Sequence, residues 1–331
     1  LVPVLDLLKA VVLGTLQGLT EFLPISSSAH LRIYPELFGW GDPGAAFTAV
    51  VQIGTELAVL IYFREDIWRI GSTWVRSLFQ AEYRGHLDAR MGWFIIVGSL
   101  PIVVLGIALK DVIEEDFRSL WIVGCTLIVF GILLGLADRF GRNEKEIRKL
   151  TLRDAVLMGV AQACALVPGV SRSGATLSMG RLLGYERAAA TRYAFLLAIP
   201  AVVGAGLFEL KEIPNGDNSY GWGPTLVATI VSFVVGYAVI AWLLKWVTTR
   251  TYTPFVVYRV ILGGAVLALP SLPVVAGRTE GRARSHRRGL PAPEQRFGPS
   301  GCAPRGYNQP ERRKNHHSNP ETPPISSSAN G

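Results

Sequence analysis

Residues 17–30 read QGLTEFLPISSSAH, which places an amide, a carboxylate, three serine hydroxyls and an imidazole at the end of an apolar run beginning near Leu5. Gln17 and Glu21 are four apart, so a helix carries them on one face about a turn from each other. Gly14 and Gly18 form a small-residue face beside them, where another backbone can approach closely. Pro24 ends that helix, and Ser26, Ser27 and Ser28 supply side chains that can cap the next one. His30 falls in the first turn of the second helix, three residues from Ser27. That spacing permits it to activate a serine or a water near neutral pH. Polar groups of this kind are expensive inside an apolar chain, and their presence points to function.

A second break, PGVSRSGAT at 168–176, interrupts another apolar run. Arg172 carries a planar fork of donors that can grip phosphate oxygens in two places. Ser171 and Ser173 flank it, Thr176 follows one turn on, and Gly169 and Gly174 clear space around it. Two helix N-termini meeting near the bilayer midplane would aim their positive ends at one place, and free N–H groups there bind phosphate. An anionic ligand is the economical reading. The alternative for Arg172 is snorkelling to the interface or a structural pair with Glu21. Glu21 keeps three roles open: general acid or base, ligand for a divalent cation held with the phosphate, or partner of Arg172. A carboxylate with phosphate oxygens suits Mg²⁺ or Ca²⁺ better than zinc. Gln17 can orient a phosphate oxygen or a metal-bound water, or make a helix–helix hydrogen bond. Gln52 and Glu56 repeat its spacing from Glu21 within a later span, and Glu56 reads as a partner behind the site. His86 lies in a polar stretch and reads as solvated.

The elements that must position these groups are apolar helices. Of 331 residues, 50% are hydrophobic and 18% charged, with a mean hydropathy of +0.33. The apolar residues fall in blocks near span length, as in a polytopic α-helical membrane protein. The three cysteines have no metal or redox spacing and no disulfide framework. The net charge of +8 is concentrated at the C-terminus, where residues 277–331 carry ten Lys and Arg against four Glu. The rest of the chain is close to neutral, so nucleic acid is not an inferred partner. Residues 277–331, rich in Pro, Gly and Arg with almost nothing to bury, read as a disordered basic tail; its PISSSAN echo of the first motif reads as accidental.

Spans are expected at 45–63, 91–109, 119–137, 188–208, 224–247 and 255–269, with polar loops at 64–90 and 138–153. The Arg- and Lys-bearing loops belong in the cytoplasm, and the acid-leaning stretches at 110–118 and 209–223 outside. Residues 2–38 must then enter and leave on the outer face, and 153–187 on the inner face, each as a re-entrant hairpin. A signal peptide is the competing reading of the N-terminal run, but a basic n-region is missing and acids interrupt the apolar core. The two breaks share Gly, Gln, Pro and serines in the same order, with one residue's slip between Gln and Pro. Opposite insertion plus this likeness predicts an inverted repeat, 1–138 and 153–271, within a membrane domain spanning 1–276.

QGLTEFLPISSSAH together with PGVSRSGAT resembles the two signature regions of the bacterial undecaprenyl-diphosphate phosphatases, also called bacitracin-resistance proteins. The resemblance covers roughly residues 3–271. It implies an all-α polytopic fold of about ten helical segments, six of them transmembrane spans, with two re-entrant hairpins and a site opening to the outer face of the plasma membrane. It implies hydrolysis of the polyprenyl diphosphate lipid to monophosphate and inorganic phosphate, recycling the carrier for peptidoglycan and other cell-wall polymers that set cell shape. Bacitracin would compete for that lipid. By motif position, Glu21, His30 and Arg172 look like the essential trio, with Ser27 the hydroxyl in the site. Ser26, Ser171, Ser173 and Thr176 look like phosphate-contacting neighbours. Gln17, where the family also uses Glu, argues against a two-carboxylate metal site. A phospho-enzyme on Ser27 and direct attack by water both remain open, as does a homodimer. The rival from another class is a lipid transporter (a flippase) that moves an anionic polyprenyl phosphate without cleaving it.

Overall fold

The computed structural model describes residues 4–41, 43–109, 119–212 and 218–268, with the side chains of 45 and 208–212 excepted. The tail at 277–331 and the acidic turn at 110–118 lie outside the described residues, and so does much of the 209–223 stretch. All described residues belong to one compact unit, Leu1–Ala283. Among them are eleven α-helices and no strand, apart from an isolated bridge between Lys145 and Tyr185.

The first helix, α1 (Val4–Phe22), breaks at Pro24 and gives way to the short α2 (Ser27–Leu37). Next come α3 (Ala45–Tyr62), α4 (Arg64–Phe79), α5 (Leu87–Ala108) and α6 (Leu120–Phe140). A second broken pair follows, α7 (Leu152–Ala163) and α8 (Arg172–Leu182). The chain then runs through α9 (Arg187–Glu212), α10 (Trp222–Trp246) and α11 (Thr253–Ala268). Each expected span is present as a helix, within a few residues of its expected ends. The expected loop at 64–90 is the exception. Trp68, Val75 and Phe79 recur at helical spacing among its arginines and acids, and the stretch forms α4, which bends 68° away from α3. Charged composition hid an amphipathic helix, and this accounts for a helix beyond the expected ten.

By length and apolarity α5, α6, α9 and α10 can each cross a membrane; α3 with α4 passes the same test as a bent pair, and α11 is apolar but shorter. Their outer faces leave Ile107, Trp121, Leu226 and Ile261 more than half exposed. So much uncovered apolar surface, with the backbone satisfied inside helices, belongs to a multi-pass membrane protein.

Two packing contacts hold the broken pairs. α1 lies against α10, and α7 lies against α5. A Cβ added at Gly18 would sit 2.8 Å from the Val235 Cβ and 2.9 Å from the Ser232 carbonyl, and one at Gly14 would strike the Ala228 carbonyl. On the other side, a Cβ at Gly159 would strike the Gly98 carbonyl. Small residues thus bring backbones into contact at both places, as helix pairs in a bilayer require. Between them, Phe195 of α9 packs edge-on against Phe22 and Phe63, with ring centroids 5.7 and 6.1 Å away.

A buried charge cluster anchors the far end of α8. Asp138 accepts from Arg181 Nε at 3.1 Å, from Arg187 Nε at 2.6 Å and from the Tyr252 backbone N–H at 3.1 Å. Four separate segments meet at this one carboxylate. Buried ion pairs of this kind add little net stability, yet breaking one leaves an uncompensated buried charge.

Candidate active site

Both breaks are built alike. Ser26 and Ser171 are the only non-glycine residues with positive φ among the described residues, at 74° and 72°. Each directly precedes a short helix, and each follows a buried glutamine, Gln17 or Gln162, by nine positions. The slip expected between Gln and Pro is therefore recovered before the serine. Each serine hydroxyl lies 3.2 Å from the hydroxyl two residues on, Ser28 or Ser173. Ser171 Oγ also caps α8 by accepting from the Gly174 N–H at 3.2 Å.

The breaks touch. Arg172 Nη2 donates to Glu21 Oε1, and Ser173 Oγ donates to the Leu23 carbonyl at 3.2 Å. Glu21 Oε2 accepts from Ser27 Oγ at 2.6 Å and from Gln17 Nε2 at 3.2 Å. Gln17 reaches on to Thr55 Oγ1 at 3.4 Å, while its own Oε1 is buried with no partner. One carboxylate thus collects a guanidinium, a hydroxyl and an amide. Short charge-assisted bonds of this type are the strong ones.

Glu21, Arg172 and Ser173 line a small pocket together with Phe22, Phe195 and Val202. Glu56, buried and bonded to Gln52 Nε2 at 3.3 Å, stands close enough to feel the charges of both Arg172 and Glu21. It reaches this place because Gly206 leaves room for its carboxylate.

His30 takes a different position from the one its spacing suggests. Its Nδ1 lies 2.7 Å from the Ser26 carbonyl, and its Nε2 lies 2.6 Å from Tyr258 Oη. A carbonyl only accepts, so Nδ1 carries the proton, and in the neutral ring Nε2 accepts from the tyrosine. The ring stacks between Tyr258 and Tyr34, at centroid distances of 5.5 and 5.9 Å. Both ring nitrogens are engaged away from Ser27, whose hydroxyl is on Glu21 instead. Thr176 is also turned aside: its hydroxyl donates to the Arg172 carbonyl at 2.9 Å, and the residue is fully buried.

Two residues here were not singled out in the sequence. Tyr258 gave no signal, because a tyrosine near a span end is ordinary. Arg259 did carry one: an arginine inside an apolar run is rare without a role.

Comparison with known proteins gives the chain's family. Residues 10–265 match the family described as bacitracin resistance protein BacA. A Nocardioides protein named undecaprenyl-diphosphatase is 78% identical over 271 residues, covering 82% of this chain and 99% of that one. Proteins of the same name from Micrococcus luteus and Thermobifida fusca are 58% and 55% identical, each over more than four fifths of this chain and nine tenths of their own length. Since the match takes in both breaks and every described helix that meets at them, this chain belongs to the BacA family of bacitracin resistance proteins.

Proposed function

We propose that this protein hydrolyses undecaprenyl diphosphate to undecaprenyl phosphate and inorganic phosphate, returning the carrier lipid to cell-wall synthesis. The observation that carries the reading is the meeting of Glu21 and Arg172 from separate breaks, with the Ser27 hydroxyl 2.6 Å from the same carboxylate. Relatives bearing the undecaprenyl-diphosphatase name over nearly their whole length support it.

On entry, the diphosphate takes Arg172 from Glu21. The guanidinium and the N-terminal N–H groups of α2 and α8 stabilise charge on the equatorial oxygens, where positioning and electrostatics do most of the work in phosphoryl transfer. Ser27 Oγ attacks the terminal phosphorus and passes its proton to Glu21 Oε2 as the P–O bond to the lipid phosphate breaks. Water then attacks the phosphoserine, the P–O bond to Ser27 breaks as Glu21 returns its proton to Ser27 Oγ, and phosphate leaves as H2PO4⁻ carrying both protons of the water. Glu21 is thus the base, and His30 holds the start of α2 through Ser26. Ser173 and Gln17 orient the groups around the carboxylate, while Ser26 and Ser171 set the turns that free the N–H groups. The isoprenoid tail lies along Phe22, Phe195 and Val202.

Among the described residues no three of His, Cys, Asp and Glu converge on a metal site. Glu21 is one carboxylate, which suits a Mg²⁺ or Ca²⁺ ion shared with the substrate's own oxygens. Such an ion would neutralise diphosphate charge.

The likeness of the two breaks, together with the matching α1–α10 and α7–α5 contacts, supports an inverted repeat of about 1–138 and 153–271. Read with the charge bias of the loops, it favours two re-entrant hairpins among six spans, with the pocket open to the outer face of the plasma membrane. Phosphate release in detergent tests the activity. Release that is abolished by Glu21→Ala and by Arg172→Ala supports the hydrolase. No release from any polyprenyl diphosphate overturns it and favours a lipid transporter.

A further inference from the structure

Arg259 of α11 is wholly buried, and among the described residues no carboxylate pairs with it. Its partners are backbone carbonyls from three segments. Nη1 donates to Pro24 O at 3.2 Å, in the first break. Nη2 donates to Gly169 O and Val170 O, both at 2.9 Å, in the second. Nε donates to Leu127 O of α6 at 3.3 Å, and Nη2 reaches Thr126 O at 3.5 Å. A guanidinium has five N–H donors in a rigid fork and stays charged, so it alone among side chains can bind so many carbonyls at once.

Its seat is cut to shape. A Cβ on Gly174 would lie 2.7 Å from Nη1, and one on Gly131 would lie 3.1 Å from the Arg259 Cβ. Carbonyls at helix breaks have lost their helical partners and need donors. Satisfying them from behind also sets their direction: with the Val170 carbonyl turned to Arg259, the Ser171 N–H across the same trans peptide points the other way.

Three links join the breaks: the Glu21–Arg172 pair, the Ser173–Leu23 bond and the Arg259 bridge. The first must open when Arg172 turns to a diphosphate. Arg259 lies outside the pocket wall and can hold throughout. We propose that Arg259 is a positioning residue for the reaction, a buried clamp keeping the two breaks in register while the Glu21–Arg172 pair is open, a role that presupposes the chemistry assigned to Glu21, Ser27 and Arg172.

The test is steady-state kinetics of the detergent-solubilised full chain, scaled to folded protein, for Arg259→Gln and Arg259→Lys beside Glu21→Ala and Arg172→Ala. Misplacing reacting groups by about an ångström lowers rate about 100-fold, so Arg259→Gln should lose kcat on that scale while KM moves less than about threefold. Inhibition by orthovanadate, which adopts the trigonal-bipyramidal geometry of phosphoryl transfer, should weaken at least about tenfold, because transition-state contacts are lost more than ground-state ones. Arg259→Lys, keeping the charge and three donors, should recover part of kcat. Where Arg259→Gln does not fold, Arg259→Lys and Gly174→Ala, which presses on the same Nη1, should each lower kcat about tenfold or more at unchanged KM. A kcat and vanadate inhibition at the parent level in the folded Arg259 variants, with Glu21→Ala and Arg172→Ala inactive, overturns the clamp alone. Full turnover in Glu21→Ala or Arg172→Ala overturns the active-site assignment beneath it.

Discussion

Ser27 donates to Glu21 Oε2 across the first break at 2.6 Å, although Pro24 and a left-handed Ser26 separate them in the chain. The helix that carries the carboxylate has ended before the hydroxyl begins. The turn folds the second helix back so that its first residue faces the end of the first. This contact puts Glu21, rather than His30, within hydrogen-bond reach of the serine.

Ser27→Ala is therefore expected to lower turnover by about 10³-fold or more, the scale on which nucleophile losses are measured. Rapid acid quenching with substrate radiolabelled in its terminal phosphate should trap phosphoserine at position 27 in the parent and none in the variant. Near-full turnover in Ser27→Ala would make water the nucleophile.

The backbone at Ser26 and Ser171 yields a second expectation. A left-handed conformation costs an L-residue about 1–2 kcal/mol, and glycine escapes that cost. Ser171→Gly should leave unfolding stability in detergent within about 1 kcal/mol of the parent, since glycine also serves as an N-cap. Ser171→Val, with a β-branched side chain at positive φ and no capping oxygen, should lose about 2 kcal/mol or more. Equal stability of the two would mean that this backbone conformation does not persist in solution.

Tyr258→Phe deletes the hydroxyl 2.6 Å from His30 Nε2 and leaves that buried nitrogen without its donor. An unsatisfied buried partner costs about 1–3 kcal/mol. If the loss falls on the orientation of α2, kcat should drop about tenfold. A Tyr258→Phe enzyme with parental kcat would remove His30 orientation from the rate-determining chemistry.

Chelation addresses the shared cation. Turnover in excess EDTA is expected to fall and to return with added Mg²⁺ or Ca²⁺, because Glu21 offers one carboxylate and the diphosphate the remaining oxygens. Undiminished turnover in chelator would leave Arg172 and the two helix N-termini to neutralise the substrate alone.

Much of this protein was legible in its residues. Apolar blocks of span length fixed the helices, because a bilayer tolerates backbone only when its hydrogen bonds close within the segment. Proline and glycine marked both breaks, and the rarity of Glu21 and Arg172 in such surroundings marked them as functional candidates. α4 is not legible from mean apolarity, because an amphipathic helix is apolar on one face only.

What residues within one segment could not decide was who meets whom. His30 is three positions from Ser27, yet the turn at Ser26 draws its Nδ1 onto a backbone carbonyl, and Tyr258, more than two hundred residues away, takes its Nε2. Arg259 is one charge within an apolar run, and only helix packing lays it against carbonyls from both breaks. Periodicity and composition are local properties, written along the chain. Contacts between distant segments depend on how whole helices pack, and only that packing brings Glu21 and Arg172 together.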